Sequence, residues 1–214
     1  MKLIPYNQVN LRSGFFFDKQ ELNRKTTINA VYDRFTETGR IGSFKFGYPE
    51  KDSTRPHYFW DSDVAKWMEG AAYILHKNPD PALEAKVDEI VEDIAEHQHE
   101  DGYFNIAHTV VFPEERFKIR DHHELYCAGH LIEAAIAYHK ATGKSKFLRC
   151  MEKYVLHIKD IFMDKYEAAF ATPGHEEIEL ALIKLWEYTE KLEYLKLARY
   201  FVNLRGNNEK DRPI

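Results

Sequence analysis

Two stretches, LIEAAIAYHKATGKSKFLRCMEKY (Leu131–Tyr154) and IELALIKLWEYTEKLEYLKLARYF (Ile178–Phe201), decide the fold. They align without a gap at an offset of 47, so that Leu131, Ala134, Thr142, Lys144, Phe147, Leu148 and Tyr154 fall on Ile178, Ala181, Thr189, Lys191, Tyr194, Leu195 and Phe201. In each, apolar residues recur three and four apart on both sides of a short polar break. That is the period of two helices joined by a tight turn. Repeated helical hairpins imply a solenoid or a closed α/α toroid.

The pattern extends in both directions. The repeat predicts helices from Glu124 to Tyr138 and Lys146 to Phe162, broken at Gly143. It predicts a further pair from Glu176 to Tyr188 and Glu193 to Leu204, closing at Gly206. Upstream, Leu83, Val87, Ile90, Val91 and Ile94 form one stripe, with Pro81 suited to a first helical turn and Asp101-Gly102 as the stop. Val64, Trp67, Met68, Ala71 and Leu75 form another, with Asp61, Ser62 and Asp63 as cap candidates. A leader helix runs between Asp18, its expected cap, and Gly39, and a loop follows from Arg40 to Tyr58. No strand series competes, so the chain is all-α: seven helices, a leader and three hairpins. The last helix is apolar nearly all round, which asks for neighbours on more than one side. The expectation is one unfinished domain over residues 1–214, able to self-associate through its uncovered C-terminal edge.

Composition narrows the function. A net charge of −5 and the absence of a basic stripe argue against nucleic acid. No run approaches the roughly 18 apolar residues of a membrane span, and the start has no apolar leader, so the expected setting is cytoplasmic. The two cysteines, Cys127 and Cys150, read as buried thiols within helices. The chain is rich in rings, with 13 Tyr, 14 Phe and 3 Trp, which suit either a helical core or a sugar site.

The polar helix starts are more telling. The sequences FWDSD, DHHE and GHEE open the inner helix of successive hairpins. In a toroid these starts converge at one end of the axis and present carboxylates, imidazoles and a ring to one pocket. Capping and the helix dipole alone could account for Asp61, Ser62, Asp63, Glu124, Glu176 and Glu177. They do not account for His123 and His175, because a helix N-terminus disfavours an imidazolium. His122 and His130 read as structural. The candidate substrate-binding residues are therefore His123, His175, Glu124, Trp60 and Asp63. No His-Glu-x-x-His or Cys-x-x-Cys spacing marks a metal site, and no Gly-x-Ser-x-Gly marks a nucleophile.

PHYFWDSDVAKWMEGAAYIL, QHEDGYFN, HELYCAGHLIEAAIAYHKATGK and GHEEIELALIKLWEYT, with YLKLARYFVNLRG after the last, resemble the β-L-arabinofuranosidases of glycoside hydrolase family 127. The resemblance runs through nearly the whole chain. One departure is local: where the family often carries a Pro-aromatic-Gln run, this chain reads INAVYD. The resemblance implies an (α/α)6 barrel, about half of it supplied here, and hydrolysis of terminal β-L-arabinofuranosyl groups on a small molecule or oligosaccharide. It also implies a cysteine nucleophile beside zinc, a glutamate acid/base, and Cys and Glu zinc ligands, all beyond residue 214. On that reading the 214-residue chain carries no catalytic residue, binds no zinc and is inactive alone. His123 of HELY and His175 of GHEEIE then contact the arabinose. From the residues alone, a stand-alone helical-repeat interaction protein and another α/α-barrel carbohydrate enzyme also remain open.

Overall fold

The computed structural model describes residues 4–47 and 55–207. Part of the predicted loop between Arg40 and Tyr58 lies outside them. The described residues contain helices and irregular segments and no strand. The leader is one helical rod, α1 (Phe15–Leu22) and α2 (Ile28–Glu37), joined through the wider turn Asn23–Thr27. Its cap is Gly14 at φ 85°, not Asp18, whose N–H already donates to the Gly14 carbonyl. The apolar run Phe15–Phe17 carries no period of its own, which hides the extra turn.

α3 (Trp60–Lys77) and α4 (Pro81–His97) form the first hairpin. Asp80 caps α4, accepting from the N–H groups of Ala82 and Leu83 at 3.1 Å each, and the predicted stripe of α4 is buried. The cap candidates of α3 are engaged elsewhere, a correction to their sequence reading. Asp61 accepts from Ile106 N at 3.0 Å, Ser62 donates to the Phe59 carbonyl, and Asp63 pairs with Arg40 at 3.1 Å. A short helix, α5 (Ala107–Val110), interrupts the irregular segment 98–123. Then come α6 (Glu124–Thr142), which Gly143 terminates at φ 76°, and α7 (Lys146–Lys159), continued by a wide turn at Asp160–Asp164. α8 (Glu177–Thr189) and α9 (Leu192–Leu204) complete the repeat.

The helices pack in two layers. α3 lies along α6 and α6 along α8, forming an inner row; α4, α7 and α9 back onto their hairpin partners, and α4 also touches α7. Each hairpin returns the chain to the same end, so the inner helices run parallel with their N-termini together. α6 is the middle of the row and is buried nearly all round, which explains its weak amphipathic pattern and many alanines. Gly129 permits the closest approach: a Cβ there would meet Glu177 Cγ at 2.6 Å. On α9, Tyr194, Leu197, Ala198 and Phe201 are buried, while Leu192 and Val202 stay exposed. The apolar residues of that helix therefore divide between two faces. Phe15 and Phe16 on α1 are the most exposed rings among the described residues.

The segment 98–123 follows no helical period but is held firmly. Gln98 Nε2 donates to the carbonyls of Gly102 and Cys150, both at 2.8 Å, tying the segment to α7. Helix α4 ends at His97, earlier than the expected Asp101-Gly102 stop; Gly102 instead makes a left-handed turn at φ 95° against α7.

Candidate functional site

The starts of α3, α6 and α8 bring Phe59, His123 and His175 into one cluster. The imidazoles of His123 and His175 stack with centroids 4.7 Å apart and planes 14° from parallel. Phe59 lies 4.7 Å from His123, and Tyr126 lies 5.1 Å from His175. Lys66 of α3 donates to the Tyr126 hydroxyl at 2.8 Å.

Local devices set this geometry. His123 sits at φ 61°, a conformation uncommon for a non-glycine residue, between the turn Arg120–His122 and α6. Arg120 Nε donates to the Thr172 carbonyl at 3.1 Å, lashing the loop before α6 to the loop before α8. Arg205, just past α9, donates to the His175 carbonyl at 3.1 Å and to Glu179 at 2.8 Å. Burial, and then the neighbouring His175, lower the pKa of His123. His123 is therefore a neutral imidazole near pH 7, with one N–H and one lone pair to offer a hydroxyl.

Further along the inner face, His130 Nδ1 lies 3.4 Å from Glu177 and 3.6 Å from Glu133, with Lys184 against Glu133. Burial, and then the neighbouring Glu133, push the Glu177 carboxyl up to about 8, so Glu177 holds its proton near neutrality.

The other predicted residues are placed differently. Trp60 is buried with the Arg40 guanidinium 5.2 Å above its ring. The same arginine holds Asp63, which lines a cleft of about 740 Å³ with Trp67 and the leader rod. The ring beside His123 is Phe59, the residue before Trp60, which sequence reasoning passed over; the pair Phe-Trp left either one eligible. Glu124 turns into the core, 2% exposed, where its carboxylate accepts from the Tyr103 hydroxyl at 2.5 Å and from Phe117 N at 2.6 Å. Tyr126 and Lys66 were also missed, because nothing in their spacing announces a partner on another helix.

Asp61 provides a test of this electrostatic picture. It is fully buried, and burial pushes its carboxyl up to about 7 despite the hydrogen bond from Ile106. The folded chain thus keeps a proton that the unfolded chain has released above about pH 4, so stability falls as pH rises from there to about 7. His130, lowered to about 4 by burial and Lys66, acts in the opposite sense up to its ordinary pKa. The clean readout is the difference between wild type and Asp61→Asn. In urea titrations across this range, the wild type should lose stability relative to the variant as pH rises, and the gap should level off above about 7. A gap independent of pH would mean that Asp61 is ionised throughout.

An inner row of parallel helices backed by an outer row is the arrangement of an α/α barrel, and the comparisons agree on that fold. A GH127 β-L-arabinofuranosidase from Geobacillus stearothermophilus T6 superposes with a TM-score of 0.83 at 37% identity, covering 94% of this chain and 35% of that one. A GH127 β-arabinofuranosidase superposes equally well, at 0.83 and 30% identity, over 97% of this chain and 34% of its own. A non-reducing end β-L-arabinofuranosidase from Bifidobacterium longum subsp. longum is 42% identical over 155 residues, which is 70% of this chain and 24% of that protein. The profile of the β-L-arabinofuranosidase GH127 catalytic domain matches residues 8–212, and the chain belongs to that family. It spans about a quarter to a third of the length of these relatives.

The cysteines here do not fit the Cys–Glu zinc set that the family resemblance implies. Cys127 Sγ is buried and donates to the Tyr58 carbonyl at 3.0 Å, and burial pushes its thiol well up. Cys150 sits half-buried on the outer helix α7, its thiol also raised by burial. Neither belongs to the two groups of clustered metal-type ligands among the described residues, His108–Glu115–His122 and His130–Glu133–Glu177.

Proposed function

We propose that this chain forms the sugar-binding wall of a β-L-arabinofuranosidase-type glycoside hydrolase, within one α/α-barrel catalytic domain. The substrate is a terminal β-L-arabinofuranosyl group on a small molecule or oligosaccharide. The stacked pair His123–His175 carries the reading: two adjacent imidazoles offer donors and acceptors to sugar hydroxyls, and Phe59 offers an apolar face to C–H groups. Trp60, Asp63 and Glu124 support this wall from behind, through Arg40 and through Tyr103. Retaining hydrolysis needs two catalytic groups flanking the scissile bond, about 5 Å apart. Glu133 and Glu177 both face the one imidazole of His130, at 3.6 and 3.4 Å, and are not set on opposite sides of a gap as such a pair would be. The acid/base glutamate, the cysteine nucleophile and the zinc of the family belong, on this reading, to the remainder of the domain. The free thiols are in keeping with a reducing, cytoplasmic setting. Leu192 and Val202 mark the face through which the chain alone would self-associate.

The purified chain should therefore release no nitrophenol from 4-nitrophenyl β-L-arabinofuranoside. Saturation-transfer NMR should still detect the sugar at His123 and His175. Removing either imidazole as alanine should weaken binding roughly fivefold to tenfold, the equivalent of one hydrogen bond of about 1 kcal/mol. Turnover that disappears with Glu177→Gln would put the chemistry in this chain and overturn the reading. Sugar binding untouched by the double His123→Ala, His175→Ala variant would remove the wall.

A further inference from the structure

Among the buried polar atoms of the segment 98–123 that lack a hydrogen-bond partner, three converge: His108 Nε2, Glu115 Oε2 and His122 Nδ1. They all lie within 4.8 Å of one another, and His122 Nδ1 is 3.2 Å from Glu115 Oε2. His108 is completely buried. Its tautomer follows from its neighbour: Asn105 Oδ1 accepts from the backbone N–H of His108 at 2.9 Å and faces its Nδ1 at 3.0 Å. The backbone N–H can only donate, so the atom facing Nδ1 is an acceptor and Nδ1 carries the proton. That leaves a bare lone pair on Nε2, within 4.8 Å of the other two groups. His122 is oriented by stacking on Tyr58, with centroids 4.0 Å apart and planes 21° from parallel. An imidazole held from behind by an oxygen acceptor, beside a second imidazole and a carboxylate, is the usual dress of a bound metal ion.

The geometry points to a structural divalent transition-metal site formed by His108, Glu115 and His122. Two nitrogens and one carboxylate oxygen suit zinc and its first-row neighbours, whereas calcium and magnesium take oxygen ligands. A second carboxyl, that of Glu124, lies 3.7 Å from His108 Nε2, while the Arg116 guanidinium is engaged by His99 and Asp101. Each ligand comes from a different short turn, α5, Pro113–Glu115 and Arg120–His122. An ion there would clip the three turns together and fix the residue after the last of them, His123, in its left-handed conformation.

The chain, stripped with chelator and titrated with Zn²⁺ in a calorimeter, should bind one ion and melt at higher temperature when loaded. Co²⁺ in its place should give visible absorption bands of a four- or five-coordinate site. His108→Ala and His122→Asn should each abolish both signals. Asn105→Ala, which keeps every ligand, should weaken binding by about 10- to 100-fold through loss of the orienting acceptor. His130→Ala, at the other cluster, should bind as the wild type does. Circular dichroism checks the helical content of each variant, and if His108→Ala fails to fold, His122→Asn and Asn105→Ala decide. No zinc binding by the wild type, unchanged affinity in the His122 and Asn105 variants, or loss of binding in His130→Ala would each overturn the assignment.

Discussion

Glu124→Ala should destabilise the chain by about 3–5 kcal/mol, the combined cost of two stranded donors and a cavity. The carboxylate has two short partners, the Tyr103 hydroxyl at 2.5 Å and Phe117 N at 2.6 Å, and it is 2% exposed. Alanine would strand both donors in the core, at about 1–3 kcal/mol each, and leave a cavity as well. Glu124→Gln should cost less, since its carbonyl oxygen still accepts one of the two bonds. Its NH₂ group then faces the Tyr103 hydroxyl, which has to turn from donating to accepting. Urea unfolding followed at the helix signal measures both. If the alanine variant unfolds within 1 kcal/mol of wild type, Glu124 is no structural tie, and its reading as a sugar ligand regains weight.

Gly102→Ala should cost about 3 kcal/mol, whereas Gly143→Ala should cost about 1 kcal/mol. Both glycines are left-handed, at φ 95° and 76°. They differ in surroundings. A Cβ on Gly102 would lie 2.6 Å from the Lys153 carbonyl oxygen and 3.0 Å from its carbon, and backbone inside a helix cannot step aside. A Cβ on Gly143 meets nothing within 4 Å. The difference between the two variants thus isolates the contact from the conformational strain. Equal losses in thermal or urea unfolding would show that the segment 98–123 shifts freely against α7.

The helices were legible in the sequence because their apolar period is local. The repeat Leu131–Tyr154 over Ile178–Phe201 named two hairpins, and the stripe from Leu83 to Ile94 named the outer helix of another. The nearness of His123 and His175 was legible for a related reason: both open inner helices of successive hairpins, and such helices start at the same end. What stayed hidden depends on partners distant in sequence. Asp61 and Glu124 look like ordinary first-turn acids, and only the fold brings them Ile106, Tyr103 and Phe117. Trp60 and Phe59 are adjacent, and which ring reaches His123 is set by the helix phase rather than by residue type. The segment 98–123 has no period at all, so its three turns and the His108–Glu115–His122 cluster left no pattern to read.

The irregular segment also implies an order of events in folding. Each helical hairpin is built from contacts close in the chain, whose loop-closure cost is small and which form early. The ties that place the site span far more: Asp61 to Ile106 over 45 residues, Arg120 to Thr172 over 52, and Cys127 to Tyr58 over 69. Those ties can close only after the hairpins have docked, so the histidine cluster is the last part assembled. In kinetic terms the residues of these ties sit at low φ-values, and Arg120→Ala, which removes the tie to Thr172, should speed unfolding while leaving the folding rate nearly unchanged. The histidine cluster is therefore also the first part to open, and its lifetime is set by the unfolding barrier of one loop rather than by the strength of the helical core.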